Sequence, residues 1–231
     1  MSGNRVRLLA VGLIAALVAT GCTNTRQDVN VLSVAQTLID ARKSERQEAT
    51  EIDERIVQAQ VKKALQSERG PLALIRFEKT KSVAILRQIE TNGAYRTWST
   101  WGTIERRSIS TRDGVITATR GLGSDLMSSD ISGLLHMLTR LEDGIAQQTL
   151  RHLDGENIIA ETVADCAFTP DRRETFTSGD LRLHATRIDV FCKTEEGSFS
   201  NVYLVNGSGR IVMSRQWLGD GIGYATIKAL R

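Results

Sequence analysis

The sequence predicts a mainly β chain of the α+β kind: a large curved antiparallel sheet, packed as a sandwich or a half-open barrel, with N-terminal helices and one short central helix. Three observations carry this expectation. From Leu72 onward apolar residues alternate in short runs rich in Thr, Val, Ile and Arg, and Gly, Asn and Asp punctuate them. Before Leu72 the apolar residues fall at helical spacing, and Gly70-Pro71 closes that regime. Midway along the chain Ile131, Leu134, Leu135, Leu138 and Leu141 form a single helical stripe.

The chain opens with Arg5 and Arg7 before an uncharged apolar run over residues 8–18, the layout of a secretory signal peptide. That run is shorter than the ~20 residues a permanent membrane helix requires. Val18-Ala19-Thr20-Gly21-Cys22 places small residues ahead of a cysteine, as in a bacterial lipobox, although Ala19 stands where Leu is commonest. A plain signal peptide is the alternative. Cys22 is the expected lipidation site, taking a diacylglyceryl thioether and becoming the first residue of the mature chain. One acyl chain such as palmitate binds a membrane only marginally, whereas several hold it durably. Thr23 follows the cysteine where an Asp would favour retention at the inner membrane, so the expected location is the periplasmic face of the outer membrane. The organisation read from this is a signal peptide over 1–21, a lipidated polar tether over 22–30, a charged helical segment over 31–69 and a β-rich periplasmic domain over 70–231.

Within the charged segment Val31, Leu32, Ala35, Leu38 and Ile39 predict a short amphipathic helix with Asn30 as its N-cap. Thr50-Glu51-Ile52-Asp53 resembles a capping box opening a second helix that runs to about Leu65. Strands are expected at 72–78, 82–89, 94–101, 104–111 and 115–120, a five-strand meander with Asn92-Gly93 and Asp113-Gly114 as hairpin turns. The glycines and the Ser/Asp-rich run over 121–130 read as its end. After the helix at 131–141, strands are expected at 147–153, 157–168, 181–194, 200–205, 210–218 and 224–229.

The chain of 231 residues carries a net charge of +3, and loss of the signal peptide removes Arg5 and Arg7, leaving the mature chain close to neutral. Such a balance lacks the clustered basic face of a nucleic-acid binder. With Cys22 assigned to lipid, Cys166 and Cys192 remain as an even pair, and in an oxidising compartment a disulfide between them is expected.

No catalytic constellation stands out. His136, His152 and His184 are scattered, without the spacing of metal ligands, so neither a metal nor a cofactor is expected. Glu156, Glu161 and Asp165 are the carboxylates considered as a glycosidase pair, but sequence places no two of them across a sugar bond. What remains has the composition of a recognition surface. Trp98 and Trp101 lie near Arg106, and Arg215 and Trp217 share one face of a late strand. Indoles stack on sugar rings and guanidinium groups grip acidic sugars, which makes these five residues candidate glycan or partner contacts. A tryptophan on a strand more commonly serves packing.

The runs Leu72-Ala73-Leu74-Ile75-Arg76-Phe77, Trp98-Ser99 and Ile109-Ser110-Thr111-Arg112-Asp113-Gly114-Val115 onward, with the closing Ser214-Arg215-Gln216-Trp217-Leu218-Gly219, resemble the group 4 capsule polysaccharide lipoproteins of the YjbF/GfcB family. The resemblance covers most of the chain from Leu72 and is weak in the charged helices. It implies a periplasm-facing outer-membrane lipoprotein of an exopolysaccharide or capsule export system and supplies no catalytic residue; the leading expectation is a non-enzymatic accessory that docks the export barrel or the glycan. The implied partners are a large outer-membrane β-barrel and a small periplasmic protein, with the polysaccharide itself as a further candidate. Two other classes stay open: a polysaccharide-modifying enzyme, and a lipid or lipoprotein carrier holding acyl chains in the curved sheet. The concave face discriminates among them. Facing carboxylates in a deep cleft mark an enzyme, an apolar trough with room for a chain marks a carrier, and a shallow or filled face marks a docking protein.

Overall fold

In the computed structural model the described residues are 53–104, 107–153 and 158–231. The expected signal peptide, Cys22, the tether, the helix from Val31 and Arg106 lie outside them.

The first helix, α1, spans Glu54–Ser67 and is capped by Asp53, whose carboxylate accepts from the Arg55 amide at 2.9 Å. Its buried stripe is Val57, Val61 and Ala64, at the spacing that brings one helical face together. Ile56, also read as an apolar member of this helix, is 62% exposed.

Twelve strands follow. They are β1 (Leu72–Phe77), β2 (Ser82–Asn92), β3 (Tyr95–Thr100), β4 (Ser108–Arg112), β5 (Val115–Arg120), β6 (Leu126–Asp130), β7 (Gly144–Leu153), β8 (Ile159–Ser178), β9 (Leu181–Lys193), β10 (Ser198–Asn206), β11 (Ile211–Trp217) and β12 (Tyr224–Ala229). A second helix, α2 (Ser132–Arg140), separates β6 from β7. All twelve strands belong to one sheet in the order β5-β4-β3-β2-β1-β12-β11-β10-β9-β8-β7-β6, antiparallel throughout. The two strands at its ends, β5 and β6, are consecutive in the chain and touch, so the sheet rolls into a nearly closed barrel.

The seam is held by side chains. Thr119 Oγ1 donates to Asp125 Oδ1, and the same carboxylate accepts from the Gly121 and Leu122 amides. The Leu126 amide donates back to Thr119 Oγ1 at 2.9 Å. Residues 126–130, expected as part of a break, are therefore a strand. Their hydroxyl and carboxylate side chains give little alternating apolar signal, while their backbone pairs with β7 through Leu126↔His152 to Asp130↔Thr149.

The second departure is β8, expected to stop at Phe168 but continuing to Ser178. A register shift between Pro170 and Arg173 accommodates the proline, which has no amide hydrogen for the ladder. Past this bulge, β8 and β9 form an arm whose tip turns at Gly179 and Asp180, where the Asp180 amide donates to the Leu230 carbonyl at 2.8 Å.

Two clusters pack inside the barrel. Leu134, Leu135 and Leu138 of α2 pack with Phe168, Ile188, Val190, Tyr203 and the disulfide-bonded pair Cys166–Cys192. Ile75, Leu86, Trp98, Ile109, Ile116, Leu150 and Ile227 make the second. On the outer face α1 covers Leu72, Leu74 and Ile85, and the β8–β9 arm brings Phe176 onto Leu204 and Val212.

Candidate functional site

The late-strand pair read from sequence belongs to a rim cluster. Arg215 on β11 meets Glu78 through two charge-assisted hydrogen bonds, Nε to Oε1 at 2.6 Å and Nη2 to Oε2 at 2.8 Å. Its guanidinium carbon also stands 3.6 Å from the centroid of the Tyr224 ring, in cation–π contact. The hydrogen bond to Glu78 raises the Arg215 pKa, and burial offsets part of the rise. Trp217 stacks on Phe199 with centroids 4.6 Å apart, and its backbone amide donates to Asn201 Oδ1 at 2.8 Å. This arginine is therefore engaged by a carboxylate and a ring from its own fold, and the indole by a phenyl ring.

Trp98 and Trp101 face opposite ways, as strand alternation requires. Trp98 is buried in the barrel, where its indole N–H donates to Thr111 Oγ1 at 2.9 Å. Trp101 is half-buried against the α1 cluster and donates to Glu68 Oε1 at 2.9 Å. Both indoles serve packing and an internal hydrogen bond, and they do not form one platform with Arg215 and Trp217.

The carboxylates considered as an acid and base pair are also occupied. Glu161 pairs with Arg151 at 2.7 Å, and Asp165 accepts from Gln147 Nε2 at 3.2 Å. Glu156 lies outside the described residues. His152 meets the Leu218 carbonyl at 2.8 Å, and His184 lies beside Thr175 on the β8–β9 arm. No group of three or more metal-ligating side chains occurs among the described residues.

A groove of about 820 Å³ is one that the sequence reading missed. It runs along the outer face between α1, β1, β12 and the tip of the β8–β9 arm. Val61, Leu65, Leu74 and Leu230 contribute its apolar lining, while Gln58, Lys62, Thr177 and Lys228 contribute polar groups. Nothing local announces it: the arm and α1 are more than a hundred residues apart in the chain and meet only through tertiary structure. The one available signal is the polar i, i+4 series Glu54, Gln58, Lys62 and Gln66 on α1.

No curated protein sequence matches this chain. Among solved structures, the hypothetical lipoprotein YmcC from Escherichia coli K12 superposes with a TM-score of 0.61 at 14% identity, over 70% of this chain and 87% of that one, a likeness of fold. An exported protein described as having a YmcC-like fold from Bacteroides fragilis matches with a TM-score of 0.30 at 10% identity, over 71% of this chain and 95% of that one. A lipoprotein from Parabacteroides distasonis matches with a TM-score of 0.29 at 9% identity, again over 71% and 95%. The family model for the group 4 capsule polysaccharide lipoproteins, GfcB and YjbF, matches residues 23–230, and the chain belongs to that family.

Proposed function

We propose that this protein is a lipid-anchored accessory of exopolysaccharide or capsule export, held at the periplasmic face of the outer membrane and acting by docking rather than catalysis. The observation that carries the reading is the family match, which covers residues 23–230 and so begins one residue after Cys22. Family membership implies a membrane-anchored lipoprotein. Lipidation at Cys22 would supply that anchor, and among the described residues no helix is long and apolar enough to cross a membrane.

The interior favours docking over the two other classes. Among the described residues α2 and apolar side chains from both halves of the sheet take up most of it, and the apolar pocket left between Ile75, Phe77, Leu86, Ile109 and Leu122 holds about 230 Å³. Of the carboxylates considered for catalysis, Glu161 and Asp165 lie on the outside of the sheet and are engaged in other contacts. The partners on this reading are the outer-membrane β-barrel of the exporter and its small periplasmic companion, with the emerging glycan as a further contact.

Deletion of the gene, with secreted polysaccharide measured, tests the role. Loss or shortening of the polymer is expected, and unaltered output overturns the reading. Cys22→Ala tests the anchor: the variant is expected in the soluble fraction, and tight membrane retention overturns lipidation at that sulfur.

A further inference from the structure

One stretch of the outer sheet surface is apolar and uncovered by any described element. Ile145 on β7 stands opposite Ala167 on β8, and Ala167 stands opposite Phe191 on β9, a cross-strand row with its side chains on one face. Ile145 is 76% exposed and Phe191 45% exposed. Val163 and the pair Leu153 and Ile159 lie on the same face of the hairpin, set off from the row by Gln147 with Asp165 and from each other by the Arg151–Glu161 ion pair. By contrast α1 covers the outer face of β1 and β2, and the arm covers Leu204 and Val212. Exposed apolar side chains grouped in this way mark interaction surfaces.

Behind the row the sheet is braced. Cys166 and Cys192 are direct cross-strand partners joined by a disulfide, and each precedes or follows a member of the row by one residue, so the bond lies beneath Ala167 and Phe191. The platform is thus fixed in register before any partner arrives, which reduces the ordering cost of binding.

The charge beside the row selects the partner. A groove of about 440 Å³ adjoins Val163 and is lined by Glu161, Asp165, Glu195 and Glu196, with Lys193 as its only cation. Arg151 reaches Glu161 from β7, which still leaves the carboxylates in excess. An acidic border repels the anionic headgroups of a bilayer and the carboxylates of an acidic polymer. It attracts a protein surface that carries Lys or Arg beside apolar side chains.

We propose that the outer face of β7, β8 and β9 docks such a surface, with Ile145, Val163 and Phe191 as apolar anchors and the Glu161–Glu196 border as the complement to a basic rim. Taking the export barrel as its bearer rests on the function proposed above; the docking face itself does not.

The test places the photoreactive residue p-benzoylphenylalanine at position 191, at 145, and at the exposed α1 position 63 as a control, in the full-length lipidated protein in native membranes. Adducts with the exporter's outer-membrane barrel are expected from 191 and 145 and absent from 63. Their yield is expected to fall by at least about fivefold in Glu195→Lys/Glu196→Lys and to weaken with added salt. A self-adduct, a lipid adduct, no adduct, or a yield indifferent to charge reversal overturns the proposal. A charge-dependent adduct with a different envelope protein keeps the face and overturns the barrel as its partner. The variant Ile145→Glu/Phe191→Glu changes only exposed side chains, and an unaltered melting temperature confirms that it folds. If gene deletion abolishes polymer while this variant secretes normally, the export role stands and the docking face falls. If deletion leaves polymer intact while the charge-dependent adduct persists, the reverse holds.

Discussion

Gln216 Oε1 accepts a hydrogen bond from the backbone amide of Ile116 at 3.1 Å, across exactly one hundred positions of chain. The same side chain donates from Nε2 to Ser214 Oγ at 2.7 Å, and Ser214 Oγ donates to the Gly114 carbonyl at 3.3 Å. Two polar residues of β11 thereby satisfy backbone groups of β5, the strand at one end of the sheet order, and of the turn that leads into it. An end strand otherwise presents unpaired donors and acceptors, which are costly when buried.

Gln216→Leu should therefore destabilise the fold by about 1–3 kcal/mol, because it strands the buried Ile116 amide and leaves Ser214 without its donor. Urea unfolding followed by far-UV circular dichroism measures the change. A cost under about 0.5 kcal/mol would mean that pairing with β4 and packing hold β5 without the contact from β11.

This relationship shows where the sequence stops being legible. The alternation in residues 72–77 predicts β1 because the chain states it locally: Ala73, Ile75 and Phe77 face one way, Leu72 and Leu74 the other. The α2 stripe and the 115–120 strand are legible for the same reason. Residues 126–130 are not, since Ser128, Ser129 and Asp130 owe their strand to pairing with β7. The extension of β8 hides behind Pro170, a residue that ordinarily argues against a strand interior. Candidate contacts chosen by residue type fared according to partners that sequence leaves unseen: Glu78 and Tyr224 for Arg215, Phe199 for Trp217, Thr111 for Trp98.

Tyr203 gives a pH prediction. Its hydroxyl is fully buried, and burial pushes its pKa up, with nearby Asn201 offsetting part of the rise; no partner meets normal hydrogen-bond geometry at Oη. The unfolded chain ionises this tyrosine at about pH 10 while the folded chain keeps its proton. Its contribution is therefore intact below about pH 10 and is lost as pH rises above that point, since the unfolded state then binds fewer protons. Tyr203→Phe should change stability by no more than about 1 kcal/mol at neutral pH and flatten the alkaline decline. Urea midpoints of both proteins at neutral pH and at about pH 10.5 decide it. Parallel declines would show that Tyr203 is not the responsible group.

Gly179 turns the β8–β9 arm with a φ of 56°, and a Cβ there would press into the backbone of Leu230. Gly179→Ala should cost at least about 1–2 kcal/mol from the left-handed conformation alone, with a further cost as the arm lifts from Leu230. The local readout is hydrogen exchange at the Asp180 amide, which donates to the Leu230 carbonyl at 2.8 Å. Faster exchange there, with β10 amides unchanged, is the expected pattern. Unchanged protection at Asp180 would show that the turn absorbs the methyl group.

Arg231 ties α1 to this arm. Its Nη2 donates to the Leu65 carbonyl at 2.8 Å, its Nη1 donates to the Glu68 carbonyl, and its Nε meets Asp180 Oδ2 at 2.9 Å. A guanidinium at the end of α1 satisfies carbonyls that the helix leaves unpaired and complements its dipole. The last turn of α1 contains no basic residue of its own, so this distant arginine supplies the charge. Arg231→Met keeps much of the side-chain length and removes every donor; with the ion pair partly exposed, a loss of about 1 kcal/mol is expected. Hydrogen exchange should quicken in the last turn of α1 and at the arm tip while β10 and β11 stay protected. Asp180→Asn separates the two roles, since it removes the ion pair and leaves both carbonyl contacts: the arm tip should loosen and the helix end should not. If both variants loosen both sites equally, Arg231 works through general stability rather than as a link between the helix and the arm.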